Sequence, residues 1–265
     1  MMTNSELEDY VGFAKQVANK AATIFREYYK SDAAAEYKEN NSPVTEADKE
    51  INSLVIEEIR QKYPDHDVLG EEQSSLENGS DWLWICDPID GTNVFTWRIP
   101  YSCIMLALAY KGEVVVSVIY DVGSDRLYSA IKNGGAYCNN KTVSVNGASE
   151  LAKSVVDCSS STSKYVNSGE LKKNVEQTCH RMLVLMCVGQ GNMLVANGAI
   201  GGQIFVGQTA HDMAAPSLIV SEAGGKVTDL FGNTQDFTQE VKGMVSSNGI
   251  LHDELLAIVQ NSLKK

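Results

Sequence analysis

The stretch WLWICDPIDGTN, residues 82–93, decides how this chain must fold, because an apolar run there ends abruptly in polar turn residues. The run from Trp82 to Cys86 is rich in aromatic and other strand-forming residues, which predicts a buried strand. Pro88 cannot donate a hydrogen bond to a sheet, so we expect the strand to stop at Asp87-Pro88. Two carboxylates, Asp87 and Asp90, therefore lie at the end of a buried strand.

The turn that follows, Asp90-Gly91-Thr92, combines the features of a binding site. Carboxylate oxygens are ligands for hard divalent cations. Gly91 lets backbone amides approach an anion such as phosphate. An Asp-Gly turn by itself is usually only structural, but the second aspartate, the proline and the threonine favour a site here.

The composition is typical of a globular enzyme-sized protein, with 265 residues, 43 % hydrophobic and 21 % charged. The amino terminus lacks the basic-then-apolar order of a signal peptide, and no apolar run is long enough to span a bilayer. Six irregularly spaced cysteines predict neither a disulfide framework nor a zinc site. We therefore predict a cytoplasmic protein with no membrane partner.

The formal net charge of −12 argues against DNA or RNA as a partner, because nucleic-acid binding needs a basic surface. The same charge would repel a phosphorylated metabolite unless bound cations reverse the local field. Part of the acidic excess is therefore a candidate for metal ligation, although most of it is expected to be solvated surface.

The order of predicted elements divides the chain near residue 147. Two amphipathic helices, capped by Ser5 and Thr45, are followed by strands at the spacing of an antiparallel meander. Beyond that point helices and strands alternate, which predicts α/β layering. We predict an α+β half with the metal site in residues 1–147 and an α/β half in residues 148–265, packed tightly as one structural unit.

The predicted elements have the following bounds, with a polar loop at residues 31–41. Strands are expected at residues 103–110, 114–120, 127–131, 142–145, 154–158, 182–188, 203–206, 226–230 and 244–247. Later helices are expected at residues 170–179, 191–197, 213–223 and 251–263.

Four separate segments place acids at strand ends or helix starts: Asp48, Glu71, Asp87 with Asp90, and Asp212. Clustered oxygen ligands select Mg²⁺, Mn²⁺ or Ca²⁺ over zinc. The calcium-loop pattern, the P-loop and the dinucleotide glycine motif are all absent, and no nucleophilic Ser or Cys lies in a recognisable elbow. A water molecule activated by metal is the interpretation that remains.

These motifs together resemble one family. DPIDGT at residues 87–92, with GEE at 70–72, HDMAA at 211–215 and EAGG at 222–225, resembles the inositol monophosphatase family. VTEAD at 44–48 is similar to its amino-terminal motif. The resemblance implies an α/β fold, a five-layered αβαβα sandwich of the sugar-phosphatase type. It also implies a homodimer that hydrolyses small phosphomonoesters with Mg²⁺ and is inhibited by Li⁺.

The resemblance implies two to three Mg²⁺ ions per active site, with Mn²⁺ as an alternative. The metal ligands that it implies are Glu71, Asp87, the carbonyl of Ile89, Asp90 and Asp212. Thr92, hydrogen-bonded to Asp48, would orient the attacking water, and Glu71 would assist catalysis. The substrate contacts that it implies are Glu71, Asp90, the amides of Gly91 and Thr92, Phe205 and Asp212.

The chain departs from the family pattern on the side of the leaving alcohol. His211 replaces an aromatic residue, and Phe205 stands where inositol-selective members carry a Glu that binds sugar hydroxyls. The segment that borders the substrate matches either residues 187–189 or residues 189–191. Ser42-Pro43 before Val44 resembles the corresponding residues of branches that act on histidinol phosphate or 3′-phosphonucleotides as much as those of the inositol branch.

These departures leave several functions open. The sequence predicts a phosphomonoesterase for inositol monophosphate or a related sugar phosphate. The alternatives are a phosphatase for histidinol phosphate, fructose 1,6-bisphosphate or a 3′-phosphonucleotide. A non-catalytic metal-binding regulatory protein is disfavoured, because every implied acid and Thr92 are present.

Overall fold

The computed structural model describes residues 3–31, 36–37, 43–158 and 162–264. The helices in these ranges are α1 (Asn4–Lys30), α2 (Glu46–Lys62), α3 (Thr92–Thr96), α4 (Ser168–Thr178), α5 (Val188–Ala196), α6 (Ala210–Glu222) and α7 (His252–Gln260). A 3₁₀ turn spans Leu151–Lys153. Within the same ranges, no helix is long and apolar enough to cross a bilayer.

The strands form a hairpin and two larger sheets. The hairpin pairs β1 (Glu36–Tyr37) with β2 (Pro43–Val44). The large sheet runs in chain order through β3 (Asp67–Gly70), β4 (Trp82–Asp90), β5 (Cys103–Tyr110), β6 (Glu113–Asp121), β7 (Arg126–Ile131), β8 (Gly135–Cys138) and β9 (Lys141–Thr142). Strands β3 and β4 are parallel, and every later pair in this sheet is antiparallel.

The small sheet has the strand order β11-β10-β12-β14-β13. Its strands are β10 (Val155–Cys158), β11 (Arg181–Leu183), β12 (Gly202–Phe205), β13 (Lys226–Thr228) and β14 (Met244–Ser247). Strand β10 is parallel to both of its neighbours, whereas β14 is antiparallel to both of its own.

The two sheets and the helices stack in five layers. Helices α1 and α2 cover the outer face of the large sheet and enclose the first apolar core. Helices α5 and α6 lie between the sheets in the second core. Helices α4 and α7 cover the far face of the small sheet in the third. This is the predicted five-layered αβαβα sandwich; the division at residue 147 stays a prediction.

The first helix begins earlier than predicted. Thr3, not Ser5, is the cap: its hydroxyl accepts a hydrogen bond from the Glu6 amide at 3.3 Å, and the Glu6 carboxylate accepts one from the Thr3 amide at 2.8 Å. Glu6 occupies the position that completes a capping box, so the box closes around Thr3. The second predicted cap, Thr45 with Asp48, is confirmed.

Three predicted strands are wrong in extent, and one of them, β13, ends at Thr228 and not at residue 230. Strand β9 ends at Thr142, and β11 ends at Leu183, well before the predicted residue 188. Met186 has a left-handed backbone with φ 57°, which turns the chain out of the sheet. Helix α5 consequently begins at Val188, three residues before the predicted start at residue 191. The polar loop predicted at residues 31–41 lies mostly outside the described residues.

Candidate active site

Strand β4 carries two of the acids through an irregularity in its pairing. Asp87 pairs with Met105 and Asp90 with Cys103, so two residues of β4 lie opposite a single residue of β5. The prediction that the strand stops at Asp87-Pro88 is therefore wrong. A bulge accommodates Pro88, which has no N–H to donate, and the strand continues to Asp90. Bulges of this kind re-aim side chains, here toward a cavity.

A cavity of about 610 Å³ lies where the two sheets meet. The predicted site residues come from six different elements or their adjoining loops. Those that line the cavity are Glu71, Asp87, Ile89, Asp90, Gly91, Thr92, Phe205 and Asp212. Asp48 is the exception: it is fully buried behind Thr92.

The carboxylates form two overlapping clusters. Asp87, Asp90 and Asp212 each place an oxygen within 4.8 Å of the other two. Glu71 and His211 form a second group of the same size with Asp87. Asp87 belongs to both clusters, so each group offers three ligand atoms and the two groups have one residue in common.

The surroundings of Asp87 disfavour its ionised form. Burial raises the pKa of this carboxyl well above its usual range, and the charges of Glu71, Asp90 and Asp212 raise it further. Its Oδ1 atom is buried and has no hydrogen-bond partner among the described residues. A buried carboxylate without a partner is costly. The oxygen-rich donor set therefore fits a hard divalent cation such as Mg²⁺.

The pKa values of Asp90 and Asp212, the other two acids of this cluster, are also raised. Burial raises the pKa of Asp212 to about 6, against the opposing charge of His211. Burial also raises the pKa of Asp90, although hydrogen bonds from Cys187 and the amides of Gly189 and Val188 lower it in part. In the absence of a cation, the acids oppose one another's ionisation.

Asp48 is held as a fixed acceptor behind Thr92. Its Oδ2 atom accepts hydrogen bonds from the Thr45 amide at 2.8 Å and the Thr45 hydroxyl at 2.5 Å. Its Oδ1 atom lies 3.4 Å from the Thr92 hydroxyl, which also lies 3.1 Å from the Ile89 carbonyl oxygen. Burial raises the pKa of Asp48 to about 6, and the hydrogen bonds from Thr45 oppose this increase. The Thr92 hydroxyl therefore donates its hydrogen bond within the protein, and its oxygen can accept a hydrogen bond from a water molecule.

Gly91 allows the chain to turn from β4 into α3. It has φ 85°, and a Cβ atom there would lie 2.9 Å from Val94 Cγ2. Only glycine fits this position without strain. The turn places the amides of Gly91 and Thr92 at the start of a helix, where they are not used by the helix itself.

One side of the cavity wall, formed by Asp157, Gln203 and Gln208, was not predicted from the sequence. Asp157, at the end of β10, accepts hydrogen bonds from Gln203 Nε2 at 2.6 Å and the Leu185 amide at 3.1 Å. Burial raises the pKa of Asp157 to about 6. Gln208 Nε2 is buried on the cavity wall with no partner in the described part of the chain. Asp157 lies between Val156 and Cys158 within a short apolar strand, and no Gly or Pro turn follows to mark it.

Of the two segments that the resemblance leaves open, residues 187–189 contribute to the cavity wall. Cys187 and Val188 line the cavity, and the amides of Val188 and Gly189 donate to the Asp90 carboxylate at 3.0 and 2.5 Å. Phe205 is 4 % exposed and belongs both to the cavity wall and to the second core.

Comparison with known proteins agrees with this geometry. The chain matches the model of the inositol monophosphatase family over residues 6–264. The chain belongs to this family. The match spans both sheets and every acid of the cavity.

Individual relatives resemble the chain over most of their length. Inositol monophosphatase 1 of Xenopus laevis is 31 % identical over an alignment of 236 residues that covers 84 % of this chain and 83 % of the relative. A fructose-1,6-bisphosphatase/inositol-1-monophosphatase of Thermotoga maritima is 33 % identical over 223 residues, 84 % of either chain. A solved IMPase/NADP phosphatase, complexed with Mg²⁺ and phosphate, has a TM-score of 0.82 at 26 % identity and 98 % coverage of both chains.

Mg²⁺ is expected to raise the melting temperature at about pH 7.5 and to lose this effect at about pH 5. Burial raises the pKa of Asp212 from 3.8 to about 6, so protons occupy this ligand below that pH. Without metal, Asp212 makes stability fall as pH rises. Its carboxyl ionises near pH 3.8 in the unfolded chain but only near pH 6 in the folded one, so the folded state becomes less stable between these pH values. Thermal melts with Mg²⁺ or chelator at both pH values test this. An equal Mg²⁺ shift at both would contradict it.

Proposed function

We propose that this family member is a Mg²⁺-dependent phosphomonoesterase that hydrolyses a small phosphorylated metabolite by direct attack of water. The observation that carries the proposal is the cluster of Asp87, Asp90 and Asp212 in the cavity wall. Three clustered acids, of which Asp87 and Asp90 are buried, cannot accept a phosphate dianion unless cations neutralise them. The proposal also predicts a homodimer and a cytoplasmic location.

Two sets of residues would hold the cations. Glu71, Asp87 and the Ile89 carbonyl would bind one, and Asp87, Asp90 and Asp212 would bind a second. Bound Mg²⁺ would neutralise charge on the phosphoryl group and lower the pKa of a water molecule. His211 adds an imidazole beside the first set, and this ligand suits Mn²⁺ as well.

The remaining residues would orient the reactants. Phosphoryl transfer depends on positioning and charge stabilisation more than on covalent help from the protein. The Thr92 hydroxyl, whose proton is directed toward Asp48 or the Ile89 carbonyl, would accept a hydrogen bond from the attacking water. The amides of Gly91 and Thr92 would donate to phosphate oxygens.

The leaving alcohol would lie between an apolar and a polar part of the cavity wall. Phe205 offers no acceptor for a ring hydroxyl, whereas Asp157 and Gln203 are polar but hydrogen-bonded to each other. An apolar wall discriminates weakly between alcohols, whereas a built hydrogen-bond acceptor discriminates strongly. We therefore infer a broader substrate range than that of members with Glu in place of Phe205. The dual name of the Thermotoga maritima relative supports fructose 1,6-bisphosphate as an alternative substrate.

The kcat/KM of the wild-type chain is expected to differ by less than about 200-fold between inositol 1-phosphate and other phosphomonoesters, since apolar pockets discriminate by about 10–200-fold. Phe205→Glu should raise the relative preference for inositol 1-phosphate. The measurement is phosphate release in Mg²⁺ from inositol 1-phosphate, fructose 1,6-bisphosphate, histidinol phosphate and adenosine 3′,5′-bisphosphate. Phe205→Leu is the matched apolar control.

Two results of this panel would count against the proposal at different levels. A preference for inositol 1-phosphate by several orders of magnitude would contradict the inference from Phe205. Hydrolysis of none of the four compounds would contradict phosphatase function and favour a regulatory protein.

A further inference from the structure

Asp90 separates two different sets of ligand atoms. On one side it faces Asp87 and Asp212. On the other side two thiols donate hydrogen bonds to its Oδ2 atom, Cys187 Sγ at 3.0 Å and Cys103 Sγ at 3.5 Å. The two sulfur atoms lie 3.9 Å apart. The proposed hydrolysis uses neither thiol.

The three atoms have the spacing of a tetrahedral zinc site. With Zn–S bonds of about 2.3 Å and a Zn–O bond of about 2.0 Å, tetrahedral angles separate two sulfurs by about 3.8 Å and a sulfur from an oxygen by about 3.5 Å. The observed separations are 3.9 Å for the sulfurs and 3.0 and 3.5 Å for the sulfur–oxygen pairs. The ligand atoms are therefore nearly in place before any ion binds.

We propose that Cys103, Cys187 and Asp90 form a binding site for a thiophilic divalent cation such as Zn²⁺ or Cd²⁺, adjacent to the carboxylate clusters. Thiolates select soft cations, whereas Mg²⁺ and Ca²⁺ prefer oxygen ligands. On binding, each S–H bond is replaced by a metal–sulfur bond, and the two protons pass to solvent. A water molecule from the cavity would complete the coordination.

The surrounding structure holds these ligands in place. Cys103 is fixed in β5 and is fully buried, and Cys187 lies just before α5 on the cavity wall, which gives an ion access. A Cβ atom on Gly189 would lie 2.5 Å from Cys103 Sγ and 2.8 Å from Met105 Sδ. Glycine at this position thus lets the start of α5 approach the sulfur atoms closely. The nearby thioether adds a further soft atom to the surroundings of the site.

Occupancy of this site would inhibit the enzyme, and this consequence rests on the proposed function. Asp90 belongs both to the thiol group and to the acid cluster. Its carboxylate is fixed by the amides of Val188 and Gly189, so it cannot move far toward either side. A cation bound to the thiols would therefore compete for the carboxylate that the second Mg²⁺ needs. Micromolar zinc or cadmium would then inhibit phosphatase activity.

The binding step is tested by titrating the Mg²⁺-saturated full chain with Cd²⁺ and recording the ultraviolet thiolate-to-cadmium absorption. Wild type should bind one Cd²⁺ with an absorption corresponding to two thiolates. Cys103→Ser and Cys187→Ser should each halve the absorption and weaken binding at least about tenfold, since even lost supporting groups cost 10- to 100-fold. Cys179→Ser, in the third core, is the matched control and should behave like wild type.

The outcomes separate this site from the carboxylate clusters. Absorption that is absent in wild type, unchanged in both serine variants, or reduced equally in Cys179→Ser would overturn the proposal. This readout does not depend on phosphatase activity. If Cd²⁺ binds as expected but the chain hydrolyses no phosphomonoester, the thiol site stands and the proposed function fails.

Discussion

Asp87→Asn is expected to lower kcat/KM by at least about 10³-fold and to raise the melting temperature of the metal-free protein. Asp87 belongs to both clusters, so its loss would weaken both cation positions at once. Removal of a single preorganised charge-stabilising group costs about 10²–10³-fold elsewhere. The stability gain follows because the substitution removes a buried charge that Glu71, Asp90 and Asp212 oppose.

Phosphate release and thermal melts in chelator measure the two effects. A gain of about 1 kcal/mol would raise the melting temperature of a protein of this size by about 2–4 °C. The matched control is Asp67→Asn. Asp67 is also buried, but it accepts hydrogen bonds from the amides of Asn78 and Ser80 at 3.0 and 2.9 Å, outside the cavity. That variant should lose stability and keep its activity.

The opposite pattern would contradict this assignment. If Asp87→Asn melts at a lower temperature than wild type in chelator, its carboxylate has a stabilising partner that the acid cluster does not provide. If it retains activity within about tenfold of wild type, Asp87 is not the ligand shared by two cations.

Thr92→Ala and Asp48→Asn are each expected to lower kcat and kcat/KM together by about 10²–10⁴-fold, with little change in KM. A group that orients or accepts a proton in the transition state typically contributes this much. Asp48 is buried behind Thr92 and outside the cavity lining, so it acts through the Thr92 hydroxyl and not on bound substrate. Equal losses in kcat and kcat/KM identify an interaction made in the transition state.

The double variant Asp48→Asn/Thr92→Ala tests whether the two residues act as one unit. Its loss should be no larger than that of the more damaging single variant, because removal of either member already disables the pair. Ser53→Ala, in the exposed part of the same helix as Asp48, controls for a general effect on α2. If the loss of kcat in the double variant equals the product of the two single losses, the residues do not act as one unit. If kcat stays near wild type in either single variant, the pair does not position the water.

The acids of the site could be predicted because each has a local signal. Asp48 completes a capping box, and Asp87 and Asp90 flank a proline at the end of an apolar run. Helix caps and turns are determined by residues close together in the chain, so a single sequence is enough to predict them. The bulge is different: it depends on how β5 pairs with β4, and the sequence therefore indicated only a strand end.

The polar and thiol sides of the cavity depend on tertiary packing and left no local signal. Nothing in the adjacent sequence distinguishes Cys103 from other residues of a buried strand. Cys187 precedes a helix whose start was predicted three residues too late. They meet at Asp90 because β5 is its sheet neighbour and α5 packs between the sheets. Asp157 likewise joins the cavity only through the arrangement of the small sheet. Contacts between distant segments determine these features.

Removal and return of metal tests the central claim most directly. Phosphate release from the best substrate of the panel would be followed in Mg²⁺, after addition of excess chelator, and after readdition of Mg²⁺ beyond the chelator. We expect release to stop with chelator and to recover fully with Mg²⁺, because Asp87, Asp90 and Asp212 cannot accept a phosphate dianion without a cation. Phosphate release that continues unchanged in excess chelator would contradict the account.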